Sequence, residues 1–575
     1  MKRNSLLTTA LSMAIAVSMS ATAAVQSVDM SPLTDKINVN SQSVRSDKQL
    51  PQILWGADMT VLHANGLKAS TQSGSVYDKA GLDFNLKVEN SVIEQAEAYI
   101  KGETPYFRGT LDQVALLNDL VYSDPSLRPV VLQQLSWSKG GDNLVVKGGI
   151  DTVADLKGKT IAIMAYGPHI YFLHRVLQSA NLDISDVNIV WTEKLDGDNS
   201  PFSALYDSSV DAAFLVTPDM LAITEGDNAL AGVEVLFSTR QADKFVADVY
   251  AVRSDFYEAN KDKLEKFVHS YFMAHESVGE LIKDKNTRKA EYNKWLKASS
   301  QQLMGTPDLI EDMEGLFLDA NHTGFAENVS FFTNDRDSRN FDRLSKEINE
   351  ALFSMKLIKS KNPIAKAEWN WESLRKGLRH ADQVVVPKFN REQVSKVVAE
   401  MQARGTLEDG QFLREQVYFD VGSSNFVFNQ TLHGAIFDKV IDDANSYSGA
   451  LIIVEGHSDP AHYLISKYKN KVPLKTLKRI RQAARDLSRQ RAEEVRSAII
   501  DYARDVRGVD INETQFEVVG YGIDNPETGV CNGEPCKINL KGQAAKQAYA
   551  KNRRANISFT TIEAEVEVSA DDFDF

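Results

Sequence analysis

Two loops in the N-terminal half place a glycine and polar side chains directly before a helical pattern. One is Ala165-Tyr166-Gly167-Pro168-His169, after an apolar strand pattern over 161–164, and the other is Phe107-Arg108-Gly109-Thr110, before a helical pattern over 111–120. Backbone N–H groups at a helix start are free, and the helix dipole favours a bound negative group there by roughly 0.3–1 kcal/mol. Facing each other across a cleft, the loops would form an anion site, but each junction alone is more often plain α/β topology.

The elements that would position these loops alternate along residues 53–359. Apolar runs of strand length are separated by amphipathic helical patterns, which is typical of an α/β fold with a parallel sheet. The pattern predicts strands at 144–146, 160–164, 187–191 and 212–216, a helical turn at 153–157, and helices at 170–180 and 201–208.

Three stretches of this region carry a family resemblance. They read Val146-Lys-Gly-Gly-Ile-Asp-Thr-Val-Ala-Asp-Leu-Lys-Gly-Lys-Thr-Ile-Ala162, Val210-Asp-Ala-Ala-Phe214 and Val249-Tyr-Ala-Val-Arg-Ser-Asp-Phe-Tyr-Glu-Ala-Asn260. Together they resemble the ABC-type periplasmic solute-binding proteins for sulfonates, taurine and nitrate. The resemblance implies an α/β two-lobe periplasmic-binding-protein fold (type II-like) over 51–359, with hinge strands near 132–136 and 246–253. It implies a receptor without a cofactor rather than an enzyme.

The layout of that family implies which residues would meet a small, anionic solute. Trp55 is equally suited to a core and His169 to capping a helix, and Asp219 would repel an anion. The lobes therefore either bind a solute or have lost it and dock an inner-membrane complex instead. The implied solute-site residues are Trp55, Asp58, Arg108, Gly109, Thr110, Tyr166, Gly167, His169 and Thr217.

A second set of motifs occupies residues 411–562, where the pattern predicts strands at 416–420, 450–455, 515–520 and 555–560 and helices at 432–446 and 474–503. Leu451-Ile-Ile-Val-Glu455 runs into Gly456-His457-Ser458-Asp459, and a later helix reads Leu487-Ser-Arg-Gln-Arg-Ala-Glu-Glu-Val495. With Val417-Tyr-Phe-Asp-Val-Gly-Ser-Ser424, Gly520-Tyr-Gly522 and Asn552-Arg-Arg-Ala-Asn556, these motifs resemble the OmpA-like peptidoglycan-binding domain. The resemblance implies a compact α+β unit that binds the cell wall.

In that family an aspartate and an arginine hold the diaminopimelate of the peptidoglycan stem peptide, and these roles map onto Asp459 and Arg491. The ligand carries an ammonium and a carboxylate, so one acid and one guanidinium can pair with both. Alone, such an Asp is usually a cap and such an Arg usually solvated. The sequence departs from the family by an insertion at 460–476 and by Ala484, where the family usually has an asparagine.

The N-terminus predicts export. Lys2 and Arg3 precede an apolar run over 6–17 and then Ala21-Thr22-Ala23-Ala24, which is typical of a signal peptide over 1–24. We therefore expect a periplasmic protein associated with the cell wall or outer membrane. The remaining segments are predicted as a flexible leader at 25–50, a helical connector at 360–410 and an acidic disordered tail at 563–575.

The net charge and the two cysteines limit which molecules the chain is expected to bind. The formal net charge of -14 argues against nucleic acid as a general partner. Cys531 and Cys536 are expected to form a disulfide in an oxidising compartment, because no histidine lies near them to complete a zinc site. Residues 460–490 are locally basic, with Asp486 as their single acid. That surface is either solvated or in contact with lipopolysaccharide, lipid headgroups or the acidic tail.

Overall fold

The computed structural model describes residues 27–225, 229–240, 242–382, 391–404, 407, 411–448, 450–531, 534–538 and 540–560. The predicted signal peptide and acidic tail lie outside these residues. Within the described ranges no helix combines the length and apolar character needed to cross a membrane.

The elements follow one another in three groups, which correspond to a first lobe, a second lobe inserted into it, and a C-terminal domain. The strands are β1 Gln49–Gln52, β2 Asn85–Val88, β3 Tyr106–Thr110, β4 Pro129–Ser138, β5 Asp142–Lys147, β6 Thr160–Met164, β7 Asn188–Thr192, β8 Ala212–Val216, β9 Val233–Ser238, β10 Ala247–Arg253, β11 Ala320–His322, β12 Ala365–Lys366, β13 Phe412–Tyr418, β14 Leu451–His457, β15 Phe516–Gly522, β16 Val530–Cys531, β17 Glu534–Pro535 and β18 Arg554–Thr560. The α-helices are Asp58–Ala64, Val76–Lys79, Val92–Ile100, Leu111–Val121, Ile170–Ser179, Pro201–Ala204, Thr217–Thr224, Ser254–Ala259, Lys261–Lys283, Lys289–Leu303, Ile310–Leu318, Phe325–Thr333, Phe341–Ser354, Trp371–Leu374, Arg391–Arg404, Gln430–Ser446, Ala461–Leu464, Leu474–Tyr502 and Gly542–Ala550.

The first lobe is built on a sheet of order β11-β4-β10-β3, with β12 pairing with β4. Strands β4 and β10 are antiparallel neighbours, and the predicted hinge strands lie in them. The chain leaves this sheet after β4 through 139–141 and returns to it through the segment before β10. Two covalent links therefore join the lobes, as a two-lobe fold requires.

The second lobe has the sheet order β7-β6-β8-β5-β9. Strand β6 runs parallel to β7 and β8, but β5 runs antiparallel to both β8 and β9. The predicted parallel sheet is thus correct for β6, β7 and β8 and wrong for β5, which runs antiparallel to both of its neighbours. Strand β5 receives the chain from the first lobe, and β9, which was not predicted, sends it back.

Two segments differ from their sequence-based expectation. The leader is structured from Ser27 onward: Leu33 is buried and the Val28 N–H donates to the Trp191 carbonyl of the second lobe at 2.8 Å. The connector is only partly helical, because β12 joins the first sheet and Trp369 Nε1 donates to the Leu132 carbonyl at 2.8 Å. Apolar side chains explain both differences, since each segment covers the first lobe with them.

The C-terminal domain has a four-stranded sheet of order β13-β18-β14-β15, with β14 and β15 parallel and the other pairs antiparallel. The helices Gln430–Ser446 and Leu474–Tyr502 supply apolar side chains to its core. Helix Arg391–Arg404 contributes Val394 and Val398 to a small cluster with Leu451 and Ile453. Cys531 and Cys536 form the predicted disulfide.

The C-terminal domain packs against the lobes at Tyr447. The ring centroid of Tyr447 lies 5.7 Å from that of Phe237 and 5.1 Å from that of Phe245, near the segment that returns to the first lobe. Beside it Arg175 Nη2 lies 3.2 Å from Asp443 Oδ1. Burial raises the pKa of Asp443 to about 6 although the charge of Arg175 opposes the shift.

We expect Arg175→Ala to lower the free energy of unfolding by about 3 kcal/mol, because it leaves Asp443 buried without a cation. Urea unfolding at pH 7 measures the change. Arg336→Ala is the matched control: Arg336 also makes an ion pair between lobes and domain, with Asp510, but there both side chains are more than half exposed. It should cost less than about 1 kcal/mol. Equal effects of the two variants would contradict the assignment.

Candidate functional site

Arg108 lies at the centre of the first lobe between two carboxylates. Strand β3 carries it into the interior, where Nη2 lies 2.8 Å from Asp58 Oδ2 and Nη1 lies 2.9 Å from Asp248 Oδ1. All three side chains are buried. Strand β10 pairs with β3 so that Asp248 faces Thr110, which brings its carboxylate next to the guanidinium.

A hydrogen-bonded chain extends from this cluster to Trp55. Ser136 Oγ on β4 donates to Asp248 Oδ2 at 3.0 Å and accepts from Trp55 Nε1 at 2.9 Å. The five residues of this cluster come from four separate segments of the chain, namely the β1–β2 region, β3, β4 and β10. The structure therefore brings the predicted residues Trp55, Asp58 and Arg108 together. The Arg108 guanidinium, however, already pairs with carboxylates of the protein itself.

The two predicted loops lie on facing parts of the lobes, which contact each other through Tyr166 and through the helices that follow the loops. Gln113 Nε2 in the first lobe donates to the Tyr166 carbonyl in the second at 3.0 Å. The Tyr171 N–H donates to Asp112 Oδ2 at 3.2 Å. A Cβ at Gly109 would lie 2.6 Å from Gln113 Oε1, so the glycine makes room for the side chain that bridges the lobes.

The remaining predicted residues surround this contact. Thr110 is the N-cap of the helix that follows it. Thr217 Oγ1 donates to the Gly140 carbonyl at 2.8 Å, and the Gly167 N–H donates to the Met164 carbonyl at 3.2 Å. His169 is buried with Nε2 2.6 Å from Asp142 Oδ1, and its Nδ1 has no hydrogen-bond partner within the described part of the chain.

Acidic groups dominate the electrostatics around the lobe contact. Burial raises the pKa of Asp58 to about 6, although the adjacent Arg108 charge opposes the shift. Burial also raises the pKa of Asp112 to about 6 and that of Asp319 to about 6. With Asp58 and Asp248 both ionised, the cluster around Arg108 carries a net negative charge. This site is poorly suited to an anion.

A second site lies at one edge of the C-terminal sheet, where β14 meets the long helix. A Cβ at Gly456 would lie 1.7 Å from the Ser488 carbonyl oxygen, so only glycine permits this approach. The Gly522 N–H donates to Ser488 Oγ at 2.8 Å and ties the helix to β15 as well. Arg491 follows Ser488 on this helix and is thereby directed beneath the end of β14.

The Arg491 guanidinium is buried and bonded to backbone carbonyls. It donates to Ser423 O at 2.8 Å, His457 O at 2.8 Å and Asp420 O at 3.3 Å. Burial lowers its pKa to about 10, and the positive charge of Arg553 adds to the effect while Asp459 opposes it. Among the described residues no carboxylate lies within ion-pair distance of Arg491. The site therefore holds a cation that lacks an anionic partner.

Asp459 pairs with a residue that the sequence reading did not single out. Because β14 and β18 are antiparallel neighbours, the end of β14 lies beside the start of β18. Asp459 Oδ2 consequently lies 3.0 Å from Arg553 Nη1. Both side chains are partly exposed. Asp459 and Arg553 are therefore the accessible part of the site, and Arg491 is its buried part.

Two kinds of site residue escaped sequence reasoning. Arg553 lies within the quoted motif Asn552-Arg-Arg-Ala-Asn556 and could have been found from the antiparallel pairing of its strand. Asp248 and Asp142 carry no local signal, because they meet Arg108 and His169 only through tertiary contacts.

Comparisons with known proteins concern the lobes. Residues 144–277, which span the second lobe and the return into the first, match the family model described as NMT1/THI5 like. No curated protein matches the chain. This match overlaps the three stretches that carry the resemblance to solute-binding proteins. The resemblance of 411–562 to the OmpA-like domain stays a prediction.

Among solved structures, the chain is similar to the alkanesulfonate-binding protein SsuA from Xanthomonas axonopodis pv. citri bound to MOPS, with 14% identity, a TM-score of 0.39, and coverage of 56% of this chain and 100% of that one. It is similar to the periplasmic nitrate-binding protein NrtA from Synechocystis PCC 6803, with 12% identity, a TM-score of 0.40, and coverage of 59% and 91%. It is also similar to the desulfurization enzyme DSZB, with 15% identity, a TM-score of 0.37, and coverage of 57% and 99%. That the chain is not an enzyme stays a prediction.

The raised pKa of Asp58 predicts a distinctive pH dependence. Between about pH 4 and pH 6 the native state keeps a proton on Asp58 that the unfolded state has lost, so the wild-type free energy of unfolding falls as the pH rises. Asp58→Asn cannot ionise. Apart from a constant offset, we expect it to gain about 2–3 kcal/mol relative to wild type between pH 4 and pH 7. Urea unfolding over this range measures the difference, and parallel profiles would contradict the assignment.

Proposed function

We propose that this chain is a periplasmic protein held on peptidoglycan by its C-terminal domain, with lobes that bind a small solute. The observation that carries the anchoring is the buried Arg491 guanidinium with carbonyl partners only, beside the accessible pair Asp459 and Arg553. A lone buried cation is costly unless something negative reaches it. A wall component with a carboxylate would supply that charge.

The charges of this site suit the free end of diaminopimelate. Its ammonium would replace Arg553 as the partner of Asp459, and its carboxylate would pair with the guanidinium released from Asp459 and with Arg491 below it. Every ion pair broken on binding is thus replaced by another. A ligand with only one of the two charges would leave either Asp459 or a guanidinium without a partner.

We expect Asp459→Asn to weaken binding of the full chain to purified peptidoglycan by about tenfold or more, because a charged hydrogen bond contributes roughly 1.5–3 kcal/mol. Co-sedimentation measures binding, and free diaminopimelate should compete with the wall for the wild type. Arg491→Ala should abolish binding. Arg491→Lys retains the charge and distinguishes loss of the site from loss of the fold, which thermal unfolding monitors.

Asp524→Asn is the matched control for Asp459→Asn. Both carboxylates belong to the same domain, both pair with arginine and both have side chains that are 20% exposed. Asp524 pairs with Arg481 and Arg485 rather than with the proposed site. Wall binding should be unchanged in this control. Equal losses in Asp524→Asn and Asp459→Asn, or full binding by Asp459→Asn and Arg491→Ala, would refute the proposed site.

For the lobes, the buried His169 Nδ1 without a partner supports retained solute binding. Nε2 lies 2.6 Å from Asp142 Oδ1, so Nδ1 is the ring nitrogen left for a solute. Arg108, which was predicted to meet an anion, is already neutralised by Asp58 and Asp248. The carboxylates around the lobe contact therefore favour a solute that donates hydrogen bonds, such as an amine, over the anion that the family resemblance implies.

The neutralised Arg108 also favours a second function. If the lobes no longer bind a solute, the chain is instead a wall-anchored interaction protein whose lobes dock on an inner-membrane complex. The two functions predict different results in one simple measurement, the stabilisation of the native state by small molecules.

A panel of amines, sulfonates, nitrate and phosphate, tested by thermal shift on the full chain, separates the two functions. A solute at 100 times its Kd stabilises the native state by about 2.7 kcal/mol. We expect a shift with an amine and its loss in His169→Ala. A shift with a sulfonate or nitrate instead would restore the anion prediction, and no shift with any class would favour the interaction protein.

A further inference from the structure

The insertion after Asp459 forms an exposed surface that is both basic and apolar. It runs from the short helix Ala461–Leu464 through the π-helical turn Ile465–Lys469 to the start of Leu474–Tyr502. Leu464 and Leu477 are buried and fix the segment to the domain. The outward side chains are therefore held in place by the inward ones.

Ion pairing sorts the cations of this segment into two sets. Arg481 and Arg485 pair with Asp524, Arg489 pairs with Glu493, and Arg491 is buried. The others make no ion pair within the described part of the chain, and we call them the basic surface: Lys467, Lys469, Lys471, Lys475, Lys478 and Arg479.

Three large apolar side chains are exposed within the basic surface. Ile465 is 50% exposed, Tyr468 is 59% exposed and Leu474 is 68% exposed. Lys467 Nζ lies 5.2 Å from the Tyr468 ring centroid, so a cation and an apolar ring share one patch. A solvated basic face needs no such residues, and exposed apolar groups in a patch mark an interaction surface.

We propose that this surface docks the chain on an anionic lipid bilayer. Lysines attract the phosphates of the headgroups, and Ile465, Tyr468 and Leu474 enter the boundary between headgroups and acyl chains. A hydrated acidic polymer offers the charge but no apolar phase, so it would leave these three side chains in water. Because the segment begins directly after Asp459, membrane contact and the proposed wall site lie on adjoining parts of one domain.

The test is sedimentation of the full chain with vesicles in the absence of peptidoglycan, so that it is independent of wall binding. Vesicles of phosphatidylcholine alone are compared with equal parts of phosphatidylcholine and phosphatidylglycerol. The wild type should bind the mixed vesicles, and binding should weaken in about 0.5 M salt. Binding that is absent, or equal on both vesicle types, would overturn the proposal.

Two variants and one control locate the contact. Replacing Lys469, Lys471 and Lys475 together with Gln should weaken binding about 100-fold, since each charge near an anionic surface contributes about fivefold. The pair Ile465→Ser and Leu474→Ser should weaken it by about tenfold or more. The control replaces Lys289, Lys294 and Lys297 with Gln, three exposed lysines on another helix, and should bind as wild type.

The pattern of losses tests whether apolar side chains enter the bilayer. If the lysine variant loses binding and the Ile465/Leu474 variant does not, attraction to the vesicles is electrostatic alone, and the proposal that this surface docks into the headgroup boundary fails. Equal losses in the control and in the lysine variant would likewise overturn it, because binding would then follow net charge alone.

Discussion

A guanidinium sealed between two carboxylates determines what the first lobe can do. Arg108 is buried, and removing both Asp58 and Asp248 would leave its charge without a partner at a cost of several kcal/mol. The ion pairs join a helix start, β3 and β10, and Ser136 extends them to Trp55. The arginine that the family resemblance assigned to an anion is thus engaged by carboxylates of the chain itself.

In the C-terminal domain, a close backbone contact at Gly456 determines where the charged residues lie. The contact of Gly456 with the Ser488 carbonyl sets the distance between β14 and the long helix, and that distance places Arg491 under the strand end. The pairing of β14 with β18 then brings Arg553 to Asp459. Close packing at one glycine and the pairing of two strands therefore assemble a charged site from three separate parts of the chain.

Local sequence patterns predicted the strands and helices better than they predicted the tertiary contacts. Strand β6 was predicted with its observed limits, and Asp459 lies at its predicted place after a strand, because apolar periodicity and turn residues are local signals. The antiparallel direction of β5 and the pairing of Arg108 with Asp248 depend on residues far apart in the chain. The ordered leader was missed because Leu33 gains its burial only from the lobe surface.

The position of Tyr447 has a mechanical consequence. Its ring lies against Phe237 and Phe245, and Ser448 donates to Asp243, at the segment through which the second lobe returns to the first. A load applied to the C-terminal domain from outside would reach the lobes through this segment as well as through the covalent connector. Tension on the C-terminal domain and the separation of the two lobes are thereby linked in one structural element.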